Sequence, residues 1–252
     1  MKTQRSIAAI RSELADLARR AGAKAFGVAD LTALKKAEPD LLARVGADFP
    51  RAVVAGLRLQ KAVLAGIKDR PTPLYMHHYR QLNYQLDTIA LEIADRLQDT
   101  GYRALAVPAS QTLSKDPMLG AVSHRVMGWG AGFGHRGRNN LLVHPEFGSQ
   151  MRYVTVLTDA PLKADKPVKA GCGSCRACVA VCPAKAIKMK PEEFNLAACY
   201  AKLTEFTKIP FVGQHICGVC VKACEGRRRR LVRGSRVQGV RVQEGQEATR
   251  SA

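Results

Sequence analysis

The chain has eight cysteines, and all of them fall in the short stretch from Cys172 to Cys224. They stand at 172, 175, 178, 182, 199, 217, 220 and 224. Disulfides are rare where glutathione keeps thiols reduced, and such dense clustering in a chain of this size points to metal ligation instead. Nothing else in the 252 residues restricts the possible folds so strongly. A segment that must gather its thiols around metal cannot also be an ordinary apolar core.

The first run, CGSCRACVAVCP, has the spacing C-x2-C-x2-C-x3-C-P, that of bacterial ferredoxins. Three thiolates on one tight loop can wrap three irons of a cubane, but the loop cannot turn sharply enough to reach the fourth. The last cysteine of the run, Cys182, then serves a second cluster. A second run is therefore expected, and CGVCVKAC supplies Cys217, Cys220 and Cys224 in the altered spacing C-x2-C-x3-C. Cys199 makes up the missing ligand. Exchange of the distal ligands gives one [4Fe–4S] cluster to Cys172, Cys175, Cys178 and Cys224, and another to Cys182, Cys199, Cys217 and Cys220. Paired C-x2-C knuckles also hold zinc, but a zinc ribbon has no use for the inserted third cysteine or for Cys182-Pro183. Glu225 follows the last cysteine where ferredoxin runs have proline, which predicts a less rigid frame for that ligand.

Ahead of the cysteines, hydrophobic periodicity predicts helices over 4–21, 31–45, 75–100 and 117–130, and strands over 25–30, 51–59, 102–110 and 153–161. The fold class expected is α+β. It comprises an N-terminal α/β domain over 1–162, a ferredoxin-like double [4Fe–4S] domain over 163–225, and a disordered basic tail over 226–252. No apolar run is long enough to span a membrane, and the N-terminus reads as an amphipathic helix without a signal-peptide core, so a cytoplasmic protein is expected.

Net charge is +19, with 25 basic and 15 acidic residues in 1–170, 7 and 4 in 171–225, and 8 and 2 in 226–252. So broad an excess suits a polyanion, with tRNA or another nucleic acid as the partner to expect; a merely solubilising bias would look the same. In AGFGHRGRNNLL, Gly132, Gly134 and Gly137 permit close backbone approach to a ligand, while Arg138 and Asn139 offer donors to it. A structural turn is the plainer alternative. His77, His78 and His124 read as surface or satisfied residues, and His215 as a group within reach of a cluster sulfur.

The segment 131–162 resembles the A-G-L-G-W-I-G-K-N-T-L-L, P-E-x-G-S and L-T-D-x-P-L motifs of the epoxyqueuosine reductases. Ala131, Gly132, Gly134, Gly137, Asn139, Leu141 and Leu142 match, with Arg138 in place of lysine. Pro145, Glu146, Gly148 and Ser149 match next, then Leu157, Thr158, Asp159, Pro161 and Leu162. Cys199, Leu203 and Thr204 repeat that family's C-x3-L-T. The resemblance is good over about 108–224.

The resemblance implies a cobalamin in the first domain, with Gly132, Gly134, Gly137, Arg138 and Asn139 beside it. It implies two clusters that feed the cobalamin, a flavodoxin or ferredoxin type electron donor, and reduction of an epoxide on tRNA. The family's acid, in D-x-x-P, aligns with Ser114, which leaves Asp116 and His135 as candidate proton donors. Asp116 reads equally as an ordinary loop acid. The resemblance does not extend to that family's helical repeat domain. A ferredoxin-like electron carrier that serves a partner enzyme, and a cluster protein that only binds nucleic acid, are the competing functional readings.

Overall fold

A computed structural model describes residues 6–115 and 118–226. Asp116 and tail residues 227–252 lie outside the described residues.

The first helix, α1 (Ile7–Arg20), starts where Ser6 accepts a hydrogen bond from the Ala9 N–H, and it buries Ile10, Leu14 and Ala18 along one stripe. Strand β1 (Ala25–Asp30) leads directly into α2 (Leu31–Ala37), which Asp30 caps through the N–H groups of Thr32 and Ala33. The helix expected to reach residue 45 stops at Ala37, because Pro39 disfavours helical backbone at Glu38. The chain goes on as a 3-10 turn, Pro39–Leu42.

Strand β2 (Arg51–Arg58) and the short α3 (Lys61–Ala65) precede the long helix α4 (Pro73–Asp99), with Thr72 as N-cap and Pro73 in the first turn. Leu86, Ile89, Ile93 and Leu97 are fully buried on its inner face. Each contributes about 1.5–3 kcal/mol by leaving water.

Strand β3 (Ala104–Val107) ends before Pro108. A small hairpin, β4 (Ser114–Lys115) with β5 (Met118–Leu119), occupies the start of the region predicted to be helical, and α5 (His124–Gly130) begins only after Ser123. Two short strands, β6 (His135–Arg136) and β7 (Leu142–Val143), pair with each other before β8 (Met151–Thr158).

The main sheet runs β1-β2-β8-β3, and every neighbouring pair is antiparallel. Alternating helices and strands had suggested an α/β domain, for which parallel strands are usual. The observed sheet is antiparallel, with helices on both faces. Register explains the two cores. Val28, Val53 and Val156 line up on the face covered by α1 and α4, while Ala29, Ala52 and Leu157 line up on the face covered by α2 and α5. The second face carries the site.

After Leu162 the chain lies along the edge of β1, where Asp165 exchanges hydrogen bonds with the Val28 backbone and receives two from Arg11 at 2.8 and 2.9 Å. The cysteine segment holds α6 (Ala177–Val181), α7 (Leu196–Phe206) and α8 (Val219–Ala223). A third core joins it to the first part, packing Leu59, Ile67 and Tyr75 against Val212, Ile216 and Val219. Among the described residues, no helix is long and apolar enough to cross a membrane.

Candidate metal centre and the cavities beside it

Helices α6 and α8 pack against each other, and each carries a cysteine near its start and another just past its end. Cys178 on α6 feels the charges of Cys224, Cys172 and Cys175, in that order. Cys217 feels Cys199 and Cys182, and Cys220 feels Cys217 and Cys199 most strongly. Cys178 therefore has Cys172, Cys175 and Cys224 for neighbours, while Cys220 also feels Cys178, ahead of Cys182. Cys182, Cys199, Cys217 and Cys220 all line one small apolar cavity, shared with Asn139 and Lys202.

Burial, then the neighbouring thiols, push Cys178 up to about 11. Burial likewise pushes Cys217 up to about 11 and raises Cys199, and it drives Cys220 higher still. Cys199, Cys217 and Cys220, which line one cavity, cannot ionise side by side unless positive charge sits among them. That donor chemistry fits an iron–sulfur cubane, whose binding would release protons.

The frame around the last ligand comes from the first domain. The Ser149 N–H donates to the Cys224 carbonyl at 3.1 Å, and Gly148 and Gly226, both with positive φ, let the two backbones touch. Lys222 Nζ donates to the carbonyls of Ala65 and Ile67. The missing proline after Cys224 is therefore made good by contacts that no local motif reveals.

The glycine-rich loop behaves differently from expectation. A Cβ on Gly134 would lie 2.0 Å from the Val143 carbonyl oxygen, one on Gly132 2.9 Å from that of Lys166, and one on Gly137 2.5 Å from a Val143 methyl. What comes close to these glycines is the chain itself, and none of the three lines either large cavity. Arg138 is buried and donates to the carbonyls of Met189, Cys175 and Gly173 at 2.5, 2.9 and 2.7 Å. Three of its five N–H donors thus hold the cysteine loop and the Met189 carbonyl, and Arg138 also lines the cavity that contains Cys172. Asn139, also buried, donates to Ser149 Oγ and accepts from the Leu141 N–H.

His135 places Nε2 3.6 Å from Cys172 Sγ. Both residues line a cavity of about 690 Å³ together with Arg125, Trp129, Arg136 and Glu192. A second cavity, of about 680 Å³, lies against the sheet, with Tyr75, Tyr79, Arg152 and Tyr153 in its wall. The two share Glu38, Ser123, Arg125, Leu141 and Leu142, so they adjoin. Ligand sites typically run about 300–1,000 Å³, and this pair has room for a large cofactor. Tyr153 Oη is buried without a hydrogen-bond partner, an orphan polar group of the kind a ligand satisfies. Sequence reasoning missed these aromatic and basic wall residues. The Tyr75–Tyr79 spacing at the start of α4 was the available signal.

Three other histidines, His124, His78 and His215, make contacts within the chain. His124 Nε2 donates to the Pro108 carbonyl, which can only accept, so Nδ1 accepts from Thr155 Oγ1 at 2.8 Å. Burial first, then Arg152, pull its pKa down to about 4, against the pull of the Pro108 carbonyl. His78 Nε2 accepts from the Gln60 N–H. His215 stacks on Tyr200 and pairs with Thr204 Oγ1, not with a cysteine sulfur.

No protein-family model matches the chain. The chain has the fold seen in a catabolic reductive dehalogenase in complex with 3-bromo-4-hydroxybenzoic acid. That likeness has a TM-score of 0.63 at 20% identity, covering 84% of this chain and 31% of the other. It also shares the fold of an epoxyqueuosine reductase with an epoxyqueuosine-modified tRNA stem loop, at TM-score 0.54 and 20% identity, over 79% of this chain and 58% of that one. By sequence, the chain is similar to the epoxyqueuosine reductases. It is 30% identical over 166 residues to that of Synechococcus sp. (strain CC9605), covering 61% of this chain and 47% of the relative. It is 39% identical over 74 residues to that of Escherichia coli (strain K12), covering 29% and 19%. The chain thus spans about half the length of the first of these relatives.

Proposed function

We propose that this protein is an iron–sulfur reductase that carries two [4Fe–4S] clusters on its two thiol quartets and binds a corrinoid in the adjoining cavities. Its substrate would be a phosphate-bearing electrophile, with a modified tRNA nucleoside the leading case. The observation that carries this reading is Cys172, which belongs to the first quartet and also lines the cavity beside Trp129 and Arg136. An electron held at that quartet therefore needs no further carrier to reach a ligand in the cavity.

The clusters would supply single electrons, and a bound corrinoid a low-valent cobalt nucleophile able to open an epoxide. The chain's own residues have separate tasks. Tyr75, Tyr79 and Tyr153 give the corrinoid an apolar wall with one hydroxyl to satisfy. Loss of surrounding water, then the charge of Arg136, lowers the pKa of Arg125 while Glu38 raises it, and the two guanidiniums give that cavity a wall suited to an anion. His135 and Asp116 remain the candidates to protonate the departing oxygen. A carrier that only shuttles electrons to a partner would need no such cavity at Cys172.

The test is anaerobic reconstitution with iron, sulfide and hydroxocobalamin, followed by a flavodoxin or ferredoxin type donor and an epoxyqueuosine stem loop. Corrinoid retained through gel filtration, with the epoxide consumed, is the expected result. Clusters that cycle while no corrinoid is retained would make the protein a carrier instead.

A further inference from the structure

Arg138 occupies a position that few guanidiniums hold. It is buried, and it donates hydrogen bonds to three carbonyl oxygens: those of Gly173 and Cys175 within the first cysteine loop, and that of Met189 beyond it. Among the described residues, none of the ion pairs includes it. A buried cation without a counter-charge is costly, because three neutral carbonyls only partly replace the water it has lost. The arrangement is reasonable if negative charge arrives nearby once the loop is loaded. A cubane on four thiolates carries net negative charge, and more of it when reduced.

Among the described residues lining the second quartet's cavity, no cation stands without a carboxylate. The cation beside it, Lys202, is already paired with Glu205. Its other polar neighbour, Asn139, is neutral.

We propose that Arg138 is the counter-ion and clamp of the first cluster. Its planar fork fixes the loop that carries Cys172 and Cys175, and its charge makes that cluster the easier of the two to reduce. This rests on the cluster reading above. Arg138 is a positioning residue, since it touches the loop and not the reacting atoms. Lysine, with a compact ammonium, would keep the charge but could not span three carbonyls. The two roles are therefore separable.

The experiment uses the full chain, reconstituted anaerobically, as wild type, R138K and R138Q. Each is titrated potentiometrically with EPR detection, and again in the C199S background to isolate the first quartet. Iron release to a chelator is followed in parallel. R138Q is expected to move the midpoint potential of one cluster, the one that survives in C199S, to a more negative value. R138K is expected to hold that potential near wild type. Both should release iron faster, by about tenfold or more if charged hydrogen bonds of the usual strength are lost.

Unchanged potentials in R138Q, or an equal shift of both clusters, would overturn the counter-ion role. If R138Q takes up no iron, R138K decides: faster release supports the clamp, and release at the wild-type rate removes it. Wild type that fails to take up two clusters would sink the cluster reading itself, which is measured first and judged separately.

Discussion

The backbone N–H of Ser149 donates to the carbonyl of Cys224 at 3.1 Å, so the last thiol of the chain hangs from the residues that enter the central sheet. Gly148 makes that contact possible. It has φ +59°, and a Cβ there would fall 2.0 Å from the Cys224 carbonyl oxygen. Gly148→Ala should cost about 1–3 kcal/mol from backbone strain alone, and it should displace Cys224. Thermal unfolding and iron content per chain are the measurements. Loss of iron from one quartet, with the other retained, is the expected pattern.

Tyr153 offers a cleaner separation of stability from binding. Its hydroxyl is buried, unpartnered and part of the wall of the cavity against the sheet. Tyr153→Phe removes an unsatisfied group and should stabilise the corrinoid-free protein by about 1 kcal/mol. The same change should weaken hydroxocobalamin retention. Unfolding midpoints with and without the corrinoid read both effects.

How much of this was legible beforehand follows from the range of the interactions involved. The two quartets are an expectation from ligand spacing within each run, which is a local property, with Cys199 the one thiol left for the incomplete run. Strand positions near 25–30 and 51–59 were readable from apolar runs bounded by turn residues. The antiparallel order β1-β2-β8-β3 was not, because strand direction depends on pairings across about a hundred residues. The loop glycines left a ligand cradle and a structural turn both open for a related reason. Positive φ can be inferred locally, but whether a ligand or Val143 fills the space cannot. Arg138 looked like a phosphate donor because Gly173, Cys175 and Met189, its true acceptors, lie 35 to 51 residues further on.

Trp129 is the single tryptophan of the chain, and it lines the cavity that also contains Cys172. Its fluorescence therefore reports on that cavity alone. Titration with hydroxocobalamin should quench it in a saturable way, and Trp129→Phe should abolish the signal while leaving gel-filtration retention in place. Saturable retention without quenching would place the corrinoid elsewhere.

His124 sets a pH dependence whose sign is fixed. Burial lowers its pKa from the ordinary 6.5 to about 4 in the folded protein. Between those values the unfolded chain binds a proton that the native state refuses, so stability rises with pH across the interval. The contribution is fully present above about pH 6.5 and is lost as pH falls towards 4, at most about 3 kcal/mol. Unfolding midpoints at pH 7 and pH 5 should differ by less in His124→Gln than in wild type.

The central claim is that the thiols are shared crosswise between two clusters, and single substitutions read by EPR test it most directly. Each of Cys172, Cys224, Cys182 and Cys217 is changed to serine in anaerobically reconstituted protein. The account predicts that C172S and C224S alter the same cluster signal, although 52 residues separate them, and that C182S and C217S alter the other. Pairing of C172S with C182S would contradict it, as would zinc bound without sulfide.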